Sequence, residues 1–202
     1  MSPDTVPPSP PESSRPEPDE DAPEAFVAKT LFRRRTVLVF GEVTTELAHA
    51  TCAQILALAS ASRDPIRVVV HSQGGHVEAG DAIHDVLRFV RVPIVMIGTG
   101  WVASAGAFIY VAAERAERFA TPNTRFLLHQ PLGGVRGRAS EIEIEAQQIV
   151  AIRERHNRAF AEATGQLYER VARDTERNHW MSAEEAKAYG LVGRIVASVD
   201  EL

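Results

Sequence analysis

The stretch Gly98-Thr-Gly-Trp-Val-Ala-Ser104-Ala-Gly-Ala-Phe108 sets a serine among small residues. Twenty-five positions later His129 leads the run His-Gln-Pro-Leu-Gly-Gly134. A nucleophilic serine needs a sharp, uncrowded turn from strand to helix. There its oxygen projects and the next backbone N–H groups can meet an oxyanion. Ala103, Ala105 and Gly106 clear that space, and Gly74-Gly75, after the apolar run Val68-Val69-Val70, supply a second donor. The pattern points to hydrolysis by a serine with a histidine as its base. The same turn also serves tight packing of a helix on a strand, so by itself it leaves both readings open.

Such residues need rigid elements behind them. Apolar runs predict strands at Val37–Phe40, Arg67–His71, Ile94–Ile97 and Arg125–Leu128, with a weaker one at Val192–Val196. Helical periodicity falls between them, at Thr44–Ala61, Val77–Val90 and Ser104–Ala113. A long helix over Ser140–Ala163 follows, then short ones near Gln166–Arg173 and Ser182–Tyr189. Ser182-Ala-Glu-Glu185 reads as a capping box, and Gly190 as the stop of that helix. Alternating strands and helices imply βαβ crossovers and a largely parallel sheet. Ser104 then opens a helix that follows a strand, where unpaired N–H groups and the helix dipole favour developing negative charge.

The charge of the 202-residue chain is uneven. Residues 1–24 hold seven carboxylates against Arg15 alone, while the whole chain carries a net charge of −5, so its acidity says nothing about the folded part. Eight of the twelve prolines sit in the same stretch. With almost no large apolar residue to bury, residues 1–25 read as a disordered tail and 26–202 as one domain. The start lacks the charged and apolar segments of a secretory signal, and no run has the length of a transmembrane helix. A single cysteine, Cys52, excludes an internal disulfide framework and fits a reducing cytoplasm. It reads as a small core residue.

From Leu31 to the end the chain resembles the proteolytic subunit of the Clp protease family. SQGGHVEAGDAIHD, GWVASAGAF, RFATPNTRFLLHQPLGG, SEIEIEAQQI and RDTERNHWMSAEEAKAYGLVGRI follow its motifs in order. The resemblance implies an α/β fold, the spiral of βαβ units shared with crotonases, with a protruding helical handle formed by Ser140–Ala163 and the loop before it. It implies an ATP-dependent serine endopeptidase whose two stacked seven-membered rings enclose a chamber fed by a Clp AAA+ ATPase. ATP belongs to that partner, and the chain needs no cofactor or metal of its own. By the same resemblance Ser104 is the nucleophile and His129 the general base. The N–H groups of Gly75 and Ala105 form the oxyanion hole, and Leu132, Gly133 and Gly134 hold the polypeptide substrate as an added strand.

Four departures accompany the match. The third triad position, aspartate in most of the family, falls on Asn178. Its amide oxygen can orient the imidazole but cannot neutralise the imidazolium. The hydrophobic entry segment of the family has no counterpart, and its place is taken by the proline- and acid-rich tail, either a removable propeptide or a spacer. In the groove that receives the ATPase, Arg67 and Val69 stand where tyrosines are expected and Thr121 at an apolar position, while Phe89 and Phe119 remain. Docking through this subunit is therefore expected to be weak. Gln73 and His71 replace a proline and an asparagine of the oxyanion loop, so Gly75 is expected to be held less tightly.

The alternative is a low-activity subunit of a mixed ring that relies on a paralogue for activity and ATPase docking. An acyl-CoA enzyme of the crotonase type has no need of the Ser-His pair. Nucleic-acid binding has only Arg33-Arg34-Arg35 to recommend it, too few for a binding face. Asp174 reads as a structural acid. His49, His76, His84 and His156 read as surface or helix residues without metal-ligand spacing.

Overall fold

Valine- and isoleucine-rich strands at 36–43, 66–75 and 94–103, each followed by a helix, dictate the architecture of the chain. A computed structural model describes residues 23–131, 134 and 136–202. The strands are β1 (Thr36–Val43), β2 (Ile66–Gly75), β3 (Ile94–Ala103), β4 (Arg118–Ala120), β5 (Arg125–Leu128), β6 (His179–Ser182) and β7 (Arg194–Ile195). The helices are α1 (Pro23–Arg33), α2 (Thr45–Ala61), α3 (Val77–Phe89), α4 (Ala105–Tyr110), α5 (Ala139–Thr164), α6 (Tyr168–Asp174) and α7 (Ala183–Tyr189).

One seven-stranded sheet runs β1-β2-β3-β4-β7, with β5 pairing β3 and β6. Every pairing is parallel except β5 with β6. β3 is long enough to fork. Its Met96–Gly98 segment pairs with β4, and its Trp101–Ala103 segment with β5. Gly100, at φ +59, lies between the two. The fork gives β5, which leads into His129, a partner beside Ser104, while Val102 of β3 stays in register with Ser72 of β2.

Alternation places Val37, Val39, Val68, Val70 and Met96 in the core, all 1% exposed or less. Helices α2 and α3 cover that face through Ile55, Leu58, Ile83 and Leu87. Cys52 packs half-buried against the same core. The capping box at Ser182 forms, with the hydroxyl accepting from Glu185 N–H and the carboxylate accepting from Ser182 N–H, and Gly190 ends α7 at φ +95. Three elements escape the sequence pattern. The short β4 and β6 are too brief for periodicity, and α1 begins at Pro23, inside the segment read as tail.

Candidate active site

The carboxyl ends of β2, β3 and β5 converge, the place where open α/β sheets bind ligands. Each end delivers one segment: Gly74-Gly75, Ser104 and His129. Ser104 follows the last residue of β3 and caps α4 at φ 55, ψ −122, a left-sided conformation that a residue with a side chain adopts only under constraint. The constraint is visible. Its N–H donates to Leu127 O at 3.0 Å, its carbonyl accepts from Phe108 N–H at 3.0 Å, and Ala105 and Ala107 are buried behind it. This is the strained elbow that lifts a serine hydroxyl out of the backbone.

Gly74 makes room for it. A methyl group at Gly74 would stand 2.6 Å from Ser104 Cβ, and φ at that residue is +96. The loop is tied down as well. Ser72, fully buried, donates its hydroxyl to Gly41 O at 2.6 Å and accepts from Gly74 N–H at 3.0 Å. The Gln73 amide, oriented to donate to Gly41 O and accept from Glu42 N–H, reaches both at 3.3 Å. His76 N–H donates to Val43 O at 2.8 Å, just beyond Gly75. The loop that lacks a proline is thus held by side chains and by β1. His71 lies aside, its ring edge-on to Phe40 and its Nδ1 3.2 Å from Thr99 O.

His129 is half-buried, and the Asn178 side chain bonds to its ring. Burial lowers the imidazole pKa and the Asn178 bond opposes it, with burial the larger effect, so the ring is held neutral more firmly than an ordinary histidine. His129 Nε2 is buried without a hydrogen-bond partner among the described residues. Gln130 fixes the backbone after it, donating from N–H to Thr175 O at 2.8 Å and from its amide to Glu176 O at 3.0 Å. These bonds carry β5 over to the loop that supplies Asn178.

Ala105 opens α4 directly after Ser104, and Gly75 closes β2 next to Gly74, which packs against Ser104. Gly134 is exposed; Leu132 and Gly133 lie outside the described residues. Asp174 accepts from Tyr189 OH at 3.0 Å and pairs with Arg170, a structural use. His84 and His156 lie on helices as expected but are buried, not at the surface. Their apolar partner, Phe108, is far from both in sequence, and no periodicity announces the contact. Among the described residues no group of three or more acidic, histidine or cysteine side chains is placed to hold a metal ion. Among them, too, no helix is long and apolar enough to cross a membrane.

Comparison with known proteins agrees with this geometry. The family described as Clp protease matches residues 20–199. The chain is 58% identical over 172 residues to the ATP-dependent Clp protease proteolytic subunit 3 of Rhizobium meliloti, covering 85% of this chain and 88% of that one. It is 55% identical over 200 residues to proteolytic subunit 2 of Gluconobacter oxydans, covering 95% and 90%. The solved structure of ClpP1 from Listeria monocytogenes superposes with a TM-score of 0.79 at 50% identity, covering 87% of this chain and 99% of that one. An Asn-to-Asp variant of the same protein gives 0.80 at 51%, covering 86% and 98%. A strained serine at a strand end, a half-buried histidine just past the end of the neighbouring strand and relatives of this closeness lead to one conclusion: the chain belongs to the Clp protease family and is a serine-type endopeptidase.

Proposed function

We propose that Ser104 is the nucleophile, His129 its general base and Asn178 the group that orients the imidazole. The observation that carries the assignment is the Ser104 elbow at φ 55, bonded through Leu127 to the strand that ends in His129. Ser104 Oγ attacks the scissile carbonyl carbon while His129 takes its proton. The N–H groups of Gly75 and Ala105 receive the oxygen that becomes negative. Collapse of the tetrahedral intermediate breaks the C–N bond, and the imidazolium returns its proton to the leaving amine. Water, activated by the same imidazole, then hydrolyses the acyl-enzyme. Hydrogen bonds between nucleophile and base are often long before substrate binds and tighten in the complex, and His129 Nε2 has no other partner to give up.

The substrate is polypeptide. It lies extended between the segment after Gly75 and residues 132–134, bound through main-chain hydrogen bonds that tolerate many sequences. The subunits form two stacked seven-membered rings, with α5 as the handle between them. A Clp AAA+ ATPase delivers unfolded chains and uses the ATP, so this chain needs no cofactor. The assembly works in the cytoplasm, and residues 1–25 precede a peptidase domain of residues 26–202, with α1 (Pro23–Arg33) spanning the boundary.

The test is labelling by a fluorophosphonate probe. Wild-type protein is expected to take up one label per chain at Ser104 and the Ser104→Ala variant none. Equal labelling of the two would overturn the assignment.

A further inference from the structure

Helix α5 meets the body of the protein late. Residues 139–148 are exposed, and its buried residues are His156, Asn157, Phe160 and Thr164, so His156 is the first buried anchor of the helix. Its ring stacks on Phe108 with centroids 3.9 Å apart, and His84 stacks on the same ring at 4.4 Å. One phenyl ring is thus held between two imidazoles, one from α3 and one from α5. His156 Nε2 lies 2.7 Å from Asp81 Oδ1, and Arg155 bonds the other carboxylate oxygen of Asp81. Burial raises the pKa of Asp81, but hydrogen bonds and charge from His156 and Arg155 outweigh it and keep the group a carboxylate.

Two short paths lead from this cluster to the reacting groups. Phe108 lies one helical turn after Ser104 and donates its N–H to the Ser104 carbonyl at 3.0 Å. Gly80, next to Asp81, brings α3 against α4 so closely that a methyl group there would lie 3.0 Å from Ala105 Cβ. Helix α3 begins two residues after Gly75, and Gly80 N–H donates to His76 O at 3.1 Å. The cluster therefore joins the serine turn, the Gly75 loop and the root of α5.

We propose that Asp81, His156 and Phe108 form a positioning clamp. It fixes α3 against α4 so that Ser104 Oγ and the N–H of Gly75 face the same substrate carbonyl. The proposal rests on Ser104 being the nucleophile. Packing alone does not require these residue types. A partly buried carboxylate–imidazole pair stabilises a fold no better than apolar side chains of the same volume, whereas its directional bond fixes one geometry. Asp81 is 18% exposed at its side chain and His156 11%, so the pair carries a desolvation cost that an apolar pair would avoid. What it supplies is direction: a bond of 2.7 Å that sets where the His156 ring, and so the Phe108 ring, must lie.

The test compares assembled wild-type rings with Asp81→Asn, His156→Gln and the double variant. Two quantities are read: the rate constant of fluorophosphonate acylation, and kcat and KM for a short fluorogenic peptide. A misplacement of about 1 Å can cost about a hundredfold in rate. Each single variant is expected to lower acylation and kcat by about tenfold or more with KM little changed. The double variant should be no slower than the slower single, because the residues act as one unit. Normal acylation in either assembled single variant, or multiplying losses in the double, overturns the clamp. Should Asp81→Asn fail to assemble, Asp81→Glu displaces the carboxylate by a methylene and must also slow acylation; a normal rate there overturns the proposal equally. Ser104→Ala, run alongside, separates the readings: label retained in that variant defeats the nucleophile assignment itself, whatever the clamp variants do.

Discussion

The Ser104 N–H donates to the Leu127 carbonyl at 3.0 Å, fastening the Ser104 turn to the strand that leads into His129 two residues later. The bond continues the parallel β3–β5 ladder, in which Ala103 faces Leu127, by one step past the end of the strand. Serine and histidine thus keep their relative register through backbone geometry.

Gly74 tests how much room that arrangement has. Alanine there would place a methyl 2.6 Å from Ser104 Cβ at a φ of +96, so the serine turn or the loop must shift. The strain is worth about 1–3 kcal/mol, which a core of this size tolerates. The active site does not: a displacement of about 1 Å should lower peptide hydrolysis about a hundredfold. Circular dichroism of Gly74→Ala should remain native while fluorophosphonate labelling collapses; full labelling would show that the turn is not confined.

With His129 as the proposed general base, its unprotonated form sets the acid side of the pH profile. Catalysis needs the unprotonated imidazole, and burial lowers its pKa against the opposing Asn178 bond. Activity should therefore persist below the pH at which an ordinary histidine protonates. Replacing Asn178 with aspartate favours the imidazolium, which moves that limb to higher pH and stabilises the charge that develops in the transition state. The plateau of kcat/KM should rise about tenfold, well within the ~10⁴ that the reverse exchange costs in the serine-protease template. A pH profile of Asn178→Asp rings that matches wild type in both limb and plateau would refute this account.

Gly190 is the corresponding test of stability. It ends α7 at φ +95, and a methyl there would collide with the Thr164 carbonyl at the end of α5. Strain and clash together should cost about 1–3 kcal/mol. Gly190→Ala should melt several degrees below wild type in a thermal scan, while rings assembled at low temperature keep their acylation rate.

Most of this was legible in the sequence because strands and helices here are long and cleanly patterned. β5 matches its apolar run, Arg125–Leu128, residue for residue, and α2 and α3 differ from expectation by one residue at an end. Ser182 and Glu185 spell their own capping box, and the Ser104 turn is announced by small residues. What stayed hidden depends on contacts across the fold. His84 and His156 look like surface helix residues because their polarity is visible and Phe108, the ring that buries them, is not. The side chains that hold the loop before Gly75 likewise meet Gly41 and Glu42 of β1, thirty residues upstream. Residues at such separations meet only through the sheet register.

The outer sheet row offers a last prediction, on ATPase docking. Val69, Ile97 and Phe119 are register partners across β2, β3 and β4, and Arg67 lies on the same face two residues from Val69. Phe119 is only 8% exposed, and the Arg194 guanidinium stands 5.0 Å over its ring. An apolar anchor from a partner would meet arginine at both ends of this row and must desolvate it. Aromatic anchors commonly contribute more than about 1 kcal/mol each, and about 1.4 kcal/mol is a tenfold change in affinity. Rings of the Arg67→Tyr, Val69→Tyr double variant should therefore bind a Clp ATPase about tenfold or more tightly than wild-type rings in a sedimentation assay. Tight binding by the wild-type homomer would mean that the anchor avoids this row, and the reading of Arg67 as an obstacle would fall.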